Sequence, residues 1–186
     1  MRKIYLINVY RKKEKVQKYV SALSSVFSGQ IEVVEEKDLA KIDGPAIITG
    51  SERMVGEDEV SENLLEFIEN MNYPLLGICY GHQAIGKAFG HRVYKCGKHR
   101  GPEKILKIKN SPLLLGLGDV FEMEESHYEC VDREGGLEVV AVNLEDENLV
   151  ETIQHREIPI FGVQFHPEKT QPGTKTVLGN FISLSF

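Results

Sequence analysis

The segment Tyr73-Pro74-Leu75-Leu76-Gly77-Ile78-Cys79-Tyr80-Gly81-His82-Gln83 constrains this chain more than any other. An apolar run stops at a cysteine set between Gly77 and Gly81, and a helical pattern begins at once. That reads as strand, one-residue peak and helix, the layout of a nucleophile elbow, with glycines where a sharp turn leaves no room for side chains. Cys79 then stands in strained backbone at the C-terminal edge of a sheet. Its sulfur lies beside the first free amides of the next helix, a setting that favours negative charge. A lone cysteine between glycines carries little weight, because free cysteines are mostly small buried hydrophobes. The weight comes from a second motif, Phe165-His166-Pro167-Glu168.

The flanking pattern says what kind of sheet holds the peak. Lys3–Tyr10 is a β-rich run and the expected first central strand. Val16, Val20 and Leu23 recur at helical spacing within 14–27, and Ile31–Val34 reads as a second strand. Pro45–Gly50 is continuous and apolar, as in a strand covered on both faces. The loop Ser51–Asp58 follows, then a helical stripe of Val60, Leu64, Ile68 and Met71. Strand and helix alternate, which implies a parallel sheet with right-handed crossovers and a site at the C-terminal strand ends.

Beyond the helix at 81–89 the pattern changes. Arg92–Lys95, Glu103–Ile108, Val120–Met123, Leu137–Asn143 and Leu149–Gln154 read as short strands, and Ile160–Phe165 as a return to the central sheet. A closing helix from Thr174 is expected to bury Val177, Phe181 and Leu184. Lys95, Lys98, His99, Arg100 and Lys104 read as a solvated basic loop. Glu122, Glu124 and Glu125 read as an exposed edge, and His155 has no evident partner.

His166 lies just past a buried strand, with Glu168 two residues on and Pro167 stiffening the link. A cysteine nucleophile needs a base that takes its proton and returns one to the leaving group, and imidazole titrates in the right range. That imidazole needs a partner on its other nitrogen to fix its tautomer. Cys79, His166 and Glu168 together, each near a strand end, point to nucleophilic catalysis.

Composition excludes other classes. The 186 residues are enough for one domain with a full core, taken as 1–186. The 22 basic and 28 acidic residues give a net charge of −6, which argues against a nucleic-acid surface. Cys79, Cys96 and Cys130 are an odd count without metal-ligand spacing, so neither a disulfide framework nor a metal site is expected. Cys96 and Cys130 read as packed or idle thiols. The run from Met1 to Asn8 is too short to span a membrane and lacks a small-residue cleavage site, so a reducing, cytoplasmic setting is expected.

Gly77-Ile78-Cys79-Tyr80-Gly81-His82-Gln83 and Gly162-Val163-Gln164-Phe165-His166-Pro167-Glu168 resemble the two signature motifs of the class I, triad-type glutamine amidotransferases. The similarity continues through His82–Gly90 and spans nearly the whole chain in order and spacing. The resemblance implies an α/β, flavodoxin-like sandwich: a central, mostly parallel sheet, helices on both faces and a small antiparallel extension. It implies hydrolysis of the glutamine side-chain amide to glutamate and ammonia through a γ-glutamyl thioester, with no cofactor. Cys79 is then the nucleophile, His166 the acid/base and Glu168 its orienting partner. The backbone amides of Tyr80 and Ser51 match the oxyanion hole, and Gly50, Gln83, Ser126, His127 and Tyr128 match the glutamine-binding positions.

One departure stands out. Family members usually carry Gly-Gly-Pro where this chain has Gly50-Ser51-Glu52. Serine resists the positive φ that glycine accepts, so a misaligned second oxyanion donor is expected there unless a partner completes it. His91 stands where a second glycine often follows Phe89-Gly90. The resemblance further implies ammonia delivery to a separate synthetase subunit. The glutaminase subunit of a split GMP synthetase, in purine biosynthesis, and the small subunit of anthranilate or aminodeoxychorismate synthase both fit. A γ-glutamyl hydrolase or peptidase would use the same residues without a partner. A non-catalytic regulatory relative would keep the fold alone, against which the intact Cys79, His166 and Glu168 argue.

Overall fold

The computed structural model describes residues 2–57 and 59–186; Met1 and Asp58, which end two of the segments read above, lie outside them. Among the described residues nine strands form a single sheet in the order β2-β1-β3-β4-β9-β8-β7-β5-β6. Its parallel half comprises β1 (Lys3–Asn8), β2 (Gln30–Glu35), β3 (Ala46–Ile48), β4 (Leu75–Ile78) and β9 (Ile160–Val163). The antiparallel half adds β8 (Val150–Gln154), β7 (Glu138–Asn143), β5 (Val93–Lys107) and β6 (Val120–Val131).

Period-two alternation in β1 divides the core. Ile4 and Leu6 pack on one face against α1 (Gln17–Ser24) and the C-terminal helix α4 (Gly179–Ser185). Tyr5 and Ile7 pack on the other against α2 (Glu62–Glu69) and α3 (Tyr80–Ala88). α2 begins at Ser61, whose Oγ accepts the Leu64 amide at 3.2 Å, an N-cap that replaces one missing intrahelical bond. The expected sandwich with helices on both faces is what the chain forms.

The glycines around Cys79 follow from close approach of backbone to backbone. A Cβ on Gly77 would lie 2.3 Å from the Gly81 carbonyl oxygen, and one on Gly81 would lie 2.6 Å from that of Ile48. Backbone cannot step aside as a flexible side chain can. Gly81→Ala is therefore expected to cost about 1–3 kcal/mol or more of stability, read as a lower denaturant midpoint at unchanged m-value.

The second half of the chain departs from expectation in several places. Its first short segments are parts of a long hairpin: β5 runs without a break across 93–107 and β6 across 120–131. The basic residues Lys95 to Lys104 therefore lie on a strand, whose backbone pairs with β6 on either side of a register shift. Glu125 is no exposed edge but 1% accessible, because β6 alternates and turns this side chain inward. Leu184 is 37% exposed, since a wide π turn at Gly173–Leu178 rephases the tail before α4. His155 has partners: its Nδ1 accepts the amides of Glu157 and Ile158, and its ring packs on Phe89. His91 is buried, its Nε2 accepting the Leu137 amide at 3.1 Å and its Nδ1 lying 3.0 Å from the Asp132 carbonyl oxygen, so it ties the end of α3 to the end of β6.

Cys96 and Cys130 are joined as a disulfide, with Cα atoms 5.7 Å apart. Antiparallel pairing of β5 with β6 brings together two residues 34 positions apart, which spacing alone does not disclose. Cys79 is left as the free thiol. Among the described residues no helix is long and apolar enough to cross a membrane.

Candidate active site

Three adjacent parallel strands, β3, β4 and β9, deliver their C-terminal ends to one edge of the sheet. Ser51 follows β3, Cys79 ends β4 and His166 follows β9. The Cys79 amide donates to the Val163 carbonyl at 2.8 Å, which ties the β4 peak to the neighbouring strand. Cys79 has φ 53° and ψ −102°, and among the described residues it is the non-glycine with positive φ. A side chain held in that region costs of order 1–3 kcal/mol and persists where the surroundings over-determine it. Here Gly77, Gly81 and the β4–α3 junction do so.

A cavity of about 390 Å³ opens at this edge. Cys79, His166, Ser51, Gln83, Ser126, His127 and Tyr128 all line it, so the structure brings these expected residues together. Glu168 lies behind the wall: its Oε1 is 2.8 Å from His166 Nδ1, and its side chain is inaccessible. Nε2 of the same ring is buried, with no hydrogen-bond partner among the described residues. The Cys79 thiol donates to the Ser126 carbonyl at 3.7 Å. Burial alone would lower the His166 pKa, but the Glu168 carboxylate and the Cys79 sulfur outweigh it and lift the imidazole to about 9. Glu168 responds in reverse: burial raises it, and the adjoining imidazolium more than compensates, leaving it below its ordinary value.

The Gly50-Ser51 loop takes a different form from the one expected. Neither residue has a positive φ, so serine meets no backbone penalty at this position. Ser51 Oγ donates to the Val9 carbonyl at 2.9 Å and accepts the Arg53 amide at 3.2 Å, pinning the turn. Gly50 sits behind the cavity wall, its amide donating to Tyr19 Oη at 2.9 Å. A Cβ there would come 2.9 Å from Tyr19 Oη, 3.0 Å from Tyr10 Oη and 3.2 Å from His166 Cε1. Gly50→Ala is therefore expected to push the imidazole and slow turnover about tenfold to a hundredfold, with a small change in melting temperature, since such shifts act through position more than through the core. Tyr80 directs its side chain away, its hydroxyl donating to the Glu59 carbonyl at 2.8 Å.

Other residues at the site carry no motif. Tyr10, Lys18 and Lys169 line the cavity, and Lys18 Nζ lies 3.5 Å from Glu168 Oε1. Gln83 is buried, its Nε2 donating to the Glu129 carbonyl at 2.9 Å and to Gln164 Oε1 at 3.2 Å. His127 sits with its Nε2 3.2 Å from Glu125 Oε2 and its ring stacked on His99 at 4.8 Å. Burial pushes His127 down and keeps it neutral, and pushes Glu125 up to about 8. Glu151 is raised too, by burial and then by Glu125. For Glu125 a folded value above the ordinary one means stability fully present below about 4.5 and lost as pH rises through about 8. Glu125→Gln is thus expected to raise the melting temperature near pH 9, by about 2–4 °C per kcal/mol relieved, and to leave it almost unchanged near pH 5.

Comparison with known proteins supplies the family. The model of the class-I glutamine amidotransferases matches residues 7–184. The glutamine-hydrolysing GMP synthase subunit of Methanococcus aeolicus is 32% identical over 169 residues, covering 88% of this chain and 85% of that protein. Anthranilate synthase component 2 of Saccharolobus solfataricus is 42% identical over 117 residues, covering 59% of each. The GMP synthase of Thermosipho melanesiensis is 34% identical over 154 residues, and there the alignment spans 80% of this chain but 29% of the relative's length. A crystal structure from Thermoplasma acidophilum, itself provisionally assigned as one subunit of a GMP synthase, superposes with a TM-score of 0.84 at 26% identity, covering 100% of this chain and 94% of that one. The elbow at Cys79, the His166–Glu168 pair behind it and a family match that runs from β1 into α4 place this chain in the class-I glutamine amidotransferase family.

Proposed function

We propose that this chain hydrolyses the side-chain amide of glutamine and supplies the ammonia to a separate synthetase subunit of the GMP-forming type. The observation that carries the reading is His166, paired through Nδ1 with buried Glu168 at 2.8 Å and holding a buried, unpartnered Nε2 at the cavity that Cys79 lines. Glutamine seats its α-amino and α-carboxylate groups against Gln83, Ser126, His127 and Tyr128, with Gly50 setting the wall behind. Binding draws the Ser126 carbonyl away from the Cys79 sulfur, which acts as the thiolate of an ion pair with its proton already on His166 Nε2, the state that the raised imidazole favours.

The sulfur attacks the carboxamide carbon, and the amides of Tyr80 and Ser51 hold the oxyanion, each worth roughly 3–4 kcal/mol in comparable sites. His166 protonates the departing ammonia and leaves a γ-glutamyl thioester. Water activated by the same ring then releases glutamate. Every step uses side chains and backbone of this chain, and the reaction takes place in the cytoplasm.

The relatives named as glutamine-hydrolysing subunits of GMP synthase favour a separate GMP-forming partner. The 42% identity to an anthranilate synthase component 2 favours the second reading, an anthranilate-type partner. The deciding measurement is glutamine-dependent product formation with each purified synthetase subunit. Stimulation by the GMP-forming subunit supports the proposal, and stimulation by the anthranilate-forming one alone replaces it. A glutamine analogue with an electrophilic side chain is expected to label Cys79 at one per chain and spare Cys96 and Cys130. Rapid turnover of γ-glutamyl peptides, with poor glutamine hydrolysis and no need of a partner, would turn the reading to a γ-glutamyl peptidase.

A further inference from the structure

Behind the β6 wall of the glutamine cavity lies a second group of reactive side chains. Cys96, His99 and Cys130 bring one ligand-type atom each to within 4.8 Å of one another. β5 bulges here: Lys95 pairs with Glu129 and His99 with His127, so three residues of β5 oppose Tyr128 alone. Gly97, at φ 105°, lets the strand make that detour. The bulge swings Cys96 across to Cys130 and places His99 three positions on, a Cys-x-x-His spacing.

The imidazole is already oriented. His99 Nδ1 lies 2.9 Å from Glu103 Oε1, and Asn143 Nδ2 donates to Glu103 Oε2 at 2.6 Å. A histidine whose Nδ1–H is held by a carboxylate presents Nε2 as a lone-pair donor, the arrangement that surrounds metal-binding histidines. A separate cavity of about 460 Å³, lined by Cys96, His99, Glu103 and Glu122 among others, gives access from solvent. A disulfide by itself has no use for a carboxylate-braced imidazole beside it or an acidic cavity in front of it.

We propose that Cys96, Cys130 and His99 form a binding site for one thiophilic divalent cation of the zinc type once the disulfide is reduced, with Glu103 as the residue that orients His99. A dithiol reductant transfers two electrons and two protons to the Cys96–Cys130 bond and leaves as its own disulfide. The cation then displaces both thiol protons and takes two thiolates, one imidazole nitrogen and a solvent oxygen from the cavity, a four-coordinate set. The disulfide and the metal-bound dithiolate are alternative clasps on the same bulge, and each closes β5 onto β6 next to Tyr128.

The test uses the full chain with Cys79→Ser, so that no other thiol competes. The protein is reduced with a dithiol, freed of it anaerobically and titrated with Co²⁺. The expected result is one Co²⁺ per chain with a thiolate charge-transfer band and tetrahedral visible bands, reversed by Zn²⁺ and absent from the oxidised protein. His99→Gln is expected to weaken binding by about tenfold or more. Glu103→Gln, which keeps every ligand, is expected to weaken it by about 10–100-fold. A reduced protein without the thiolate band overturns the site. So does a band whose affinity is unmoved by both His99→Gln and Glu103→Gln, or binding that persists in Cys96→Ser, which marks an adventitious ion only. The central measurement is made on a chain with all three ligands intact, so misfolding of one variant does not decide it.

Discussion

Replacing Cys79 by serine is expected to lower glutamine hydrolysis by about 10⁴-fold or more, measured as ammonia and glutamate release. In other enzymes of this logic the loss of the nucleophile costs about as much as the loss of the whole catalytic group. Serine occupies a similar volume and tolerates the positive φ no worse than cysteine, so the elbow and fold are kept. What is lost is the sulfur that the proposed reaction uses to form the thioester at neutral pH. Glutamine binding, measured by calorimetry, is expected to survive within a fewfold, because the proposed seat for the α-groups of the substrate, on β6 and Gln83, is unchanged. Residual hydrolysis within tenfold of the unsubstituted chain would remove Cys79 from the nucleophile's place.

Glu168→Gln is expected to reduce the rate by roughly 10²–10⁴-fold, less than the change at Cys79, with the pH profile as the diagnostic. The amide oxygen of glutamine can still accept from His166 Nδ1, so the tautomer is retained. The negative charge is not, and the imidazole should fall from about 9 toward its ordinary value, since burial is then opposed by the Cys79 sulfur without the carboxylate. The sign for stability follows. His166 has a folded value above its ordinary 6.5, so its contribution is complete below that pH and disappears as pH rises through about 9. Glu168 lies below its ordinary 4.5, so its contribution is present above that pH and disappears on acidification. The pair therefore stabilises the fold most between these limits, and the variant should show a flatter stability profile across them. A rate loss equal to that of Cys79→Ser, with the pH profile unmoved, would mean that Glu168 has a role other than holding His166.

Most of the parallel half was legible because β1, β3, β4 and β9 are apolar runs and α1 and α2 are helical stripes, patterns that local chemistry imposes. The long hairpin was not. Outer strands β5 and β6 carry Lys, Glu and His along much of their length, and only Ile105 of β5 is fully buried, so they read as loops and fragments. The inward turn of Glu125 and the joining of Cys96 to Cys130 depend on the register of that hairpin. Register is a relation between segments, and no single segment states it.

At the site, the elbow at Cys79 and the pairing of His166 with Glu168 were legible in the sequence because the elbow needs glycines at fixed offsets and the carboxylate lies two residues from the histidine. Tyr10, Tyr19, Lys18 and Lys169 could not, since they reach the site from the loop after β1, from α1 and from the turn beyond Glu168 with no spacing in common. The expected fault at Ser51 was likewise a matter of tertiary structure: the turn is held by Val9 and Arg53 at ordinary φ, so serine fits. The chain's own order of residues thus determined the family and the chemistry proposed for it, because a cysteine elbow and a histidine with a nearby carboxylate are local demands on residue type. The folded sheet decided the surroundings, because burial, ion pairing and cross-strand bonds exist only when distant segments are brought side by side.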